Sequence, residues 1–273
     1  MDLKEKVKND ILIQALILII IAWAVLALIV GFTDLQISKA VVDPDSGWGN
    51  FGADYGEAPG YGLIAIGIAI LIAYGMSKKG KDIKQQKLPA VIIGIIGIIV
   101  MIVGIIIDSH STTTVGGGIG IALLGFSALT WNKDWAQYHT IASVIVLLAI
   151  IHPLLFVQLV KLTWGRVRPR DVLAGEGPYT PWFVINGYTG NQSFPSGHTA
   201  MGWMLLPLLI TVRDREWKDP VKIITWICII GWGLFVGLSR IVVGAHYTSD
   251  VLFSTGMASV VTILLYKKFY NKE

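Results

Sequence analysis

The chain has 273 residues, of which 54% are hydrophobic and only 15% charged, and its mean hydropathy is +0.65. Average soluble domains carry about 25% charged residues, so this composition excludes an ordinary soluble domain and favours several membrane-spanning helices. The net charge of +4 comes without a basic patch interleaved with aromatic residues, which argues against nucleic-acid binding, and the single cysteine excludes an intramolecular disulfide.

Apolar runs between charged breaks predict the membrane-spanning helices. A helix needs roughly 20 mostly apolar residues to cross a hydrocarbon core of about 30 Å. We therefore predict an all-α fold, a polytopic transmembrane helix bundle of about eight spans. In chain order the predicted spans are Ile11–Val30, Gly62–Met76, Leu88–Ile107, Val115–Thr130, Thr140–Val160, His198–Val212, Val221–Leu238 and Tyr247–Tyr266.

The acidic segment Phe32–Gly60 joins the first two predicted spans. Its carboxylates admit a calcium site, but their spacing matches no ligand loop, so we expect a flexible, solvated outer loop. Farther along, the run Gly116–Gly120 follows no strand pattern, which argues against a nucleotide-binding loop. Together with Gly94, Gly97 and Gly104, it predicts close packing between helices instead.

The positions of lysine and arginine predict the orientation in the membrane. Cytoplasmic loops carry an excess of these residues. With both termini inside, most of the 22 basic residues fall in inner segments. Five of the six exceptions fall in two outer segments, Lys161–Gly197 and Ser239–His246. Snorkelling at the membrane interface is one explanation, and a functional role for these cations is the other.

Three short stretches at the predicted outer helix ends carry groups suited to phosphate chemistry. Lys161, Arg168 and Arg240 are three cations, and such groups match the oxygens of a phosphate anion. Pro195-Ser196-Gly197-His198 opens an apolar run and so predicts a helix start, whose free amides favour an anion. The Ser196 hydroxyl is a further donor, and His198 is expected beside the bound anion.

His246 and Asp250 are spaced by four residues, which places both on one face if the last helix begins near His246. A carboxylate that accepts a hydrogen bond from one imidazole nitrogen leaves the other free as an acceptor or nucleophile. A zinc site formed with His198 is the alternative, but the three nearby cations would repel a divalent ion.

These residues resemble the type 2 phosphatidic acid phosphatases, also called lipid phosphate phosphatases, a superfamily that shares its signature with vanadium haloperoxidases. Its three motifs are a lysine separated from Arg-Pro by six residues, then Pro-Ser-Gly-His, then Ser-Arg followed by a histidine and an aspartate. Lys161 with Arg168-Pro169, Pro195–His198 and Ser239–Asp250 match all three. By this resemblance residues 88–266 form the six-helix phosphatase core, and 1–80 form an N-terminal two-helix extension with the acidic outer loop.

The resemblance implies a role for each residue. His246 attacks phosphorus, Asp250 orients it, and His198 protonates the leaving oxygen and later activates water. Lys161, Arg168, Ser196, Gly197 and Arg240 bind the phosphoryl oxygens. Arg166, Arg170 and Asp171 lie outside the motifs, and we expect them to contact a larger head group or only the membrane surface.

We therefore predict a metal-independent lipid phosphate phosphatase of the plasma membrane, with its active site facing outward. Candidate substrates are polyprenyl diphosphate, such as undecaprenyl diphosphate, phosphatidylglycerophosphate and phosphatidic acid. The only partners expected are this lipid phosphate and the bilayer, with no cofactor, metal, nucleic acid or protein partner. A lipid phosphotransferase using the same site and an anion transporter are the alternatives, and a haloperoxidase is disfavoured because the motifs lie between membrane spans.

Overall fold

A computed structural model describes residues 10–270, which form a helical fold. The α-helices are α1 (Ile11–Val41), α2 (Gly47–Tyr55), α3 (Ala58–Lys78), α4 (Ile83–Ile106), α5 (His110–Leu129), α6 (His139–Ala149), α7 (Val157–Trp164), α8 (Pro169–Leu173), α9 (Gly197–Gly202), α10 (Pro220–Val242) and α11 (Thr248–Tyr270). A π-helical stretch, Ile150–Phe156, joins α6 to α7, and a 3-10 helix, Trp203–Val212, continues α9.

Seven helical segments within residues 10–270 are long and apolar enough to cross a membrane. They correspond to seven of the eight spans predicted from the sequence. The remaining one, predicted as His198–Val212, is the shorter apolar helix Gly197–Val212, which begins as α9 and tightens into the 3-10 form. A polytopic membrane protein built from helices is therefore confirmed.

The first helix is longer than predicted. It continues past Val30 to Val41, and it buries Asp34 and Ser38 on the way. The expected flexible, solvated loop over Phe32–Gly60 is therefore wrong, since α1, α2 and the start of α3 occupy most of it. An aspartate normally ends a membrane-embedded run, but Asp34 has buried partners, which offset the cost of its charge.

The described chain divides into two compact units. One, here called the motif unit, contains residues 10–50, 151–200 and 237–270, and the other contains 51–150 and 201–236. All three sequence motifs and the first helix lie in the motif unit. The division into a 1–80 extension and an 88–266 core stays a prediction.

Glycines bring α4 and α5 into close contact in the second unit. A Cβ atom added to Gly97 would lie 2.7 Å from the backbone nitrogen of Gly120, and one added to Gly116 would lie 2.5 Å from that of Met101. Such distances leave no room for a side chain, so the predicted helix packing through glycines is confirmed. A buried cluster that includes Ile70, Leu123 and Trp135 forms the core of this unit.

In the motif unit, α1 runs antiparallel to α11 from its start to Asp34. Asp10, which caps α1, pairs with Lys267 near the end of α11. Midway, Trp23 packs against Gly256 so closely that a Cβ at Gly256 would lie 2.4 Å from its ring. At the other end Asp34 meets Ser249, in the first turn of α11. This arrangement places the buried acid of α1 beside the third sequence motif.

Candidate active site

The first two motifs meet where α7 ends and α9 begins. Lys161 lies in the last turn of α7, and α7 is closed by Gly165 in the left-handed conformation, with φ of 56°. The Lys161 Nζ atom lies 3.5 Å from the position that a Cβ atom on Gly197 would take. The ammonium group is therefore held over the start of the Pro-Ser-Gly-His helix.

Ser196 fixes this helix start onto α11. Its backbone N–H donates to the carbonyl of Asp250 at 3.2 Å, and its own carbonyl accepts from Ser254 Oγ at 2.7 Å. The Ser196 hydroxyl oxygen caps the helix by accepting from the Thr199 backbone N–H at 3.3 Å and from Thr199 Oγ1 at 2.8 Å. The backbone bond from Ser196 to Asp250 thus joins the second motif to the third.

The turn after α10 brings His246 next to Arg240. The backbone N–H groups of Ala245 and His246 both donate to the Arg240 carbonyl, at 3.0 and 3.1 Å. Gly244 has φ of 66°, and a Cβ there would lie 2.8 Å from Val42, so glycine is required on both grounds. The last helix begins at Thr248, one residue after the predicted start at Tyr247, so His246 lies just before its first turn.

The ring of His246 has one nitrogen directed at two acceptors. Its Nδ1 atom lies 2.5 Å from the Ser193 carbonyl oxygen and 3.5 Å from Asp250 Oδ2. Because both neighbours only accept hydrogen bonds when Asp250 is ionised, Nδ1 carries the proton and Nε2 keeps its lone pair. Burial lowers the pKa of His246 to about 4, although Asp250 opposes the shift. The imidazole is therefore neutral at pH 7.

Asp250 has more partners than its predicted role requires. Its Oδ2 atom accepts from the Ser193 hydroxyl at 2.5 Å and from the Tyr247 backbone N–H at 2.9 Å. Its Oδ1 atom accepts from Arg166 Nη1 at 2.6 Å. These donors hold the carboxylate in one orientation beside His246, and Ser193 contacts both members of the pair.

Arg166 is fully buried, so the expectation that it contacts a head group or the membrane surface is wrong. Its guanidinium donates to Asp34, at 3.0 Å, as well as to Asp250. It also donates to Ser249 Oγ and to the Thr180 carbonyl, both at 2.8 Å. The sequence signal for this cluster was a lone aspartate at the end of an apolar run, with an arginine just before the first motif's Arg-Pro.

The remaining predicted residues lie around His198. Four groups act on His198 electrostatically, namely Arg240, His246, Lys161 and Arg168. Arg168 is the residue that precedes α8, whereas Arg170 and Asp171 form a partly exposed surface pair at 3.5 Å. The structure therefore brings members of all three motifs together, while the catalytic and binding role of each stays a prediction. Among residues 10–270, no three His, Cys, Asp or Glu side chains are grouped to hold a metal ion.

Known proteins are similar to this chain over the part that contains these motifs. A model of the PAP2 superfamily matches residues 142–273. A lipid A 4'-phosphatase of Francisella tularensis subsp. novicida is 31% identical over 160 residues, which are 56% of this chain and 69% of that protein. A phosphatidylglycerophosphatase B of Haemophilus influenzae is 31% identical over 32% of this chain and 37% of its own length. The undecaprenyl-diphosphatase BcrC of Bacillus subtilis is 35% identical over 29% of this chain and 37% of its own.

No solved structure gives a significant match. The relatives are all named as phosphatases of membrane lipids, which supports the prediction of an enzyme of that class. The family match covers the second and third motifs and Lys161 with Arg168-Pro169. On its sequence, its helices and its similarity to these proteins, the chain belongs to the PAP2 superfamily.

Proposed function

We propose that this protein is an integral membrane phosphatase that hydrolyses the terminal phosphate of a lipid phosphate or diphosphate through a phosphohistidine at His246. The observation that carries the proposal is the state of the His246 ring. With Nδ1–H directed at Ser193 and Asp250, the Nε2 lone pair is available for attack at neutral pH. The cations near His198 supply the positive field in which a phosphate group would bind.

The reaction would proceed in two displacements. Burial and the neighbouring cations lower the pKa of His198, so His198 would take up a proton once the negative charge of the bound phosphate group offsets those cations. In the first displacement His246 Nε2 attacks phosphorus, the bond from phosphorus to the lipid oxygen breaks, and His198 gives its proton to that oxygen. Then water attacks the phosphohistidine, His198 takes one proton from the water, and the bond from nitrogen to phosphorus breaks to release phosphate. Asp250 stabilises the positive charge that develops on His246 in the first step and that His246 loses in the second. Lys161, Arg168, Arg240, the Ser196 hydroxyl and the Gly197 amide would hold the phosphoryl oxygens.

The similarity and the membrane setting support the proposed substrate class. The matched relatives are named for lipid A, phosphatidylglycerophosphate and undecaprenyl diphosphate. Each of these is an anionic head group on an apolar anchor, and the helices here are long enough to hold the protein in the same bilayer. A terminal phosphate on such a lipid fits a cationic pocket at helix ends.

We further propose that the protein lies in the plasma membrane with both termini in the cytoplasm and the site facing outward. The excess of lysine and arginine in alternate connecting segments supports this orientation. A cysteine introduced at the exposed Asp45 of a Cys228→Ala variant tests it. A membrane-impermeant thiol reagent added to intact cells should label that cysteine, and labelling only after lysis would reverse the assignment.

Phosphate release by purified protein tests the activity. The assay compares undecaprenyl diphosphate, phosphatidylglycerophosphate, phosphatidic acid and lipid A in detergent with a chelator present. His246→Ala should abolish release, whereas His110→Ala, at an exposed histidine that contacts Tyr55, should not. Acid-labile label on wild-type protein from a radioactive lipid phosphate would show the intermediate.

Three other results would indicate a different function or mechanism. Transfer of phosphate to an added alcohol with little free phosphate would indicate a phosphotransferase. Uptake of phosphate into liposomes without hydrolysis would indicate a transporter. Equal activity in wild type and His246→Ala would refute the mechanism.

A further inference from the structure

We propose that Asp34, on the first helix, is a positioning residue of the active site that acts on His246 through Arg166 and Asp250. The inference rests on the proposed function of His246 as the nucleophile. It adds to the site a residue from α1, which lies outside residues 142–273, where the family model matches.

Arg166 bridges two carboxylates that are far apart in the sequence. Its Nη2 atom pairs with Asp34 Oδ2 at 3.0 Å, and its Nη1 atom pairs with Asp250 Oδ1 at 2.6 Å. All three side chains are completely shielded from solvent. Buried ion pairs contribute little net stability compared with apolar residues of the same size, so stability alone does not account for this cluster.

Ser249 provides a second link from Asp34 to the site. Its backbone N–H donates to Asp34 Oδ1 at 3.0 Å, and its hydroxyl donates to Asp34 Oδ2. The same hydroxyl oxygen accepts from Arg166 Nη1 at 2.8 Å. Asp34 therefore fixes both the guanidinium that holds Asp250 and the residue directly before Asp250 in the chain.

The charges of the cluster explain what Asp34 adds. With both carboxylates ionised, as their pairing with Arg166 favours, the cluster has a net charge of −1 in a place shielded from water. Because Arg166 divides its charge between Asp34 and Asp250, the latter keeps part of its negative charge for the imidazole 3.5 Å away. Without Asp34, the Arg166 guanidinium would pair with Asp250 alone and would offset more of its negative charge. Asp250 would then stabilise the positive charge formed on His246 during attack less strongly.

Other groups also face His246 and enter the balance. The Ser193 carbonyl accepts from its Nδ1 atom, while Arg240 and Lys161 oppose a positive charge on the ring. His198 interacts with it from the Pro-Ser-Gly-His helix. Within the described residues, the carboxylates of this cluster that favour a positive charge on His246 are therefore Asp34 and Asp250.

Kinetics of Asp34→Asn test the proposal. We expect kcat for phosphate release to fall about 10- to 100-fold, by analogy with carboxylates that orient metal-binding histidines, with little change in KM. Asp45→Asn is the matched control, because it removes the same charge from an exposed position in the same part of the chain. In an Asp250→Asn background, Asp34→Asn should cause little further loss. An unchanged kcat, or a full additional loss in that background, would overturn the proposal.

A readout that needs no activity separates this inference from the proposed function. In protein labelled with ¹⁵N-histidine, the His246 signals are identified by their absence from His246→Asn. Asp34→Asn should shift the Nδ1 signal and move the titration of the ring to lower pH, whereas Asp45→Asn should not. Identical spectra in Asp34→Asn and wild type would refute the positioning role, even if no lipid proves to be a substrate.

A second variant covers a failure of Asp34→Asn to fold. Ser249→Ala removes the hydroxyl between Asp34 and Arg166 and leaves every charge in place. We expect the same shift of the His246 signal and a smaller loss of kcat, again with KM little changed. Wild-type spectra and kinetics for this variant would contradict the proposed link.

Discussion

Replacing Arg166 by methionine tests the buried charge cluster most directly. Methionine fills a similar volume, but it leaves the Asp34 and Asp250 carboxylates facing each other without a cation. It also removes the donors to Ser249 and to the Thr180 carbonyl. Removing one member of a buried ion pair costs about 3–5 kcal/mol because the remaining charge stays uncompensated. With two carboxylates affected, we expect a loss of about 5 kcal/mol in the free energy of unfolding, the upper end of that range.

Arg170→Met is the matched control for this experiment. Arg170 lies four residues farther along, is 44% exposed and pairs with Asp171 at 3.5 Å. A pair of this kind contributes about 0–1 kcal/mol. Thermal unfolding in detergent, followed by tryptophan fluorescence, should therefore separate the two variants clearly. Arg166→Lys should fall between them, because it keeps the charge and loses the planar fork that reaches both acids.

The reasoning is refuted if Arg166→Met and Arg170→Met unfold at the same temperature as the wild type. Phosphate release by Arg166→Met tests a separate point, the link from the cluster to the chemistry. Loss of stability with full activity would separate the cluster from the chemistry, and it would leave Arg166 as a purely structural residue.

Other predictions concern acid sensitivity, phosphate binding and helix packing. Because the pKa of His246, about 4 in the folded protein, lies below the unfolded value of about 6.5, the unfolded chain takes up the proton first. This part of the stability is complete above about pH 6.5 and is lost as the pH falls toward 4, so His246→Gln should flatten the dependence of the unfolding midpoint on pH in that window. Arg240→Gln should lower kcat/KM for phosphate release about 100- to 1000-fold and weaken inhibition by orthovanadate. Gly97→Ala should cost about 1–3 kcal/mol in thermal unfolding, because its Cβ would meet Gly120 at 2.7 Å.

Controls for these variants come from the same chain. Gly75 lies in α3 with nothing within 4 Å of an added Cβ, so Gly75→Ala should be neutral or slightly stabilising. Equal melting of the two alanine variants would contradict the packing argument. Wild-type kinetics in Arg240→Gln would remove that residue from the proposed phosphate site, and an unchanged pH profile in His246→Gln would show that other groups govern acid unfolding.

Local patterns in the sequence were sufficient for the membrane helices and for the three motifs. Apolar runs predict the spans because a helix needs about 20 such residues in a row to cross a bilayer, and this requirement does not depend on tertiary contacts. The end of α1 could not be predicted in this way. Asp34 interrupts the apolar run, and its partner Arg166 lies 132 positions away. A local sequence pattern therefore cannot predict the pair that stabilises this part of the helix.

The same limit applies within the site. The spacing of His246 and Asp250 predicted a hydrogen bond between them, yet the nearer acceptor for Nδ1 is the carbonyl of Ser193. A backbone carbonyl in an irregular segment has no signature in composition or spacing. Its position depends on how residues 174–196 return to α11, which tertiary contacts decide.

The three motifs are joined by bonds to Asp250, which lies next to the proposed nucleophile. Ser196 is bonded to the Asp250 backbone, and Arg166 to the Asp250 side chain. Lys161, Arg168 and Arg240 belong to the motifs that these bonds connect. If these cations bind phosphate as proposed, the oxyanion would offset their mutual repulsion while the bonds behind them hold the motifs together.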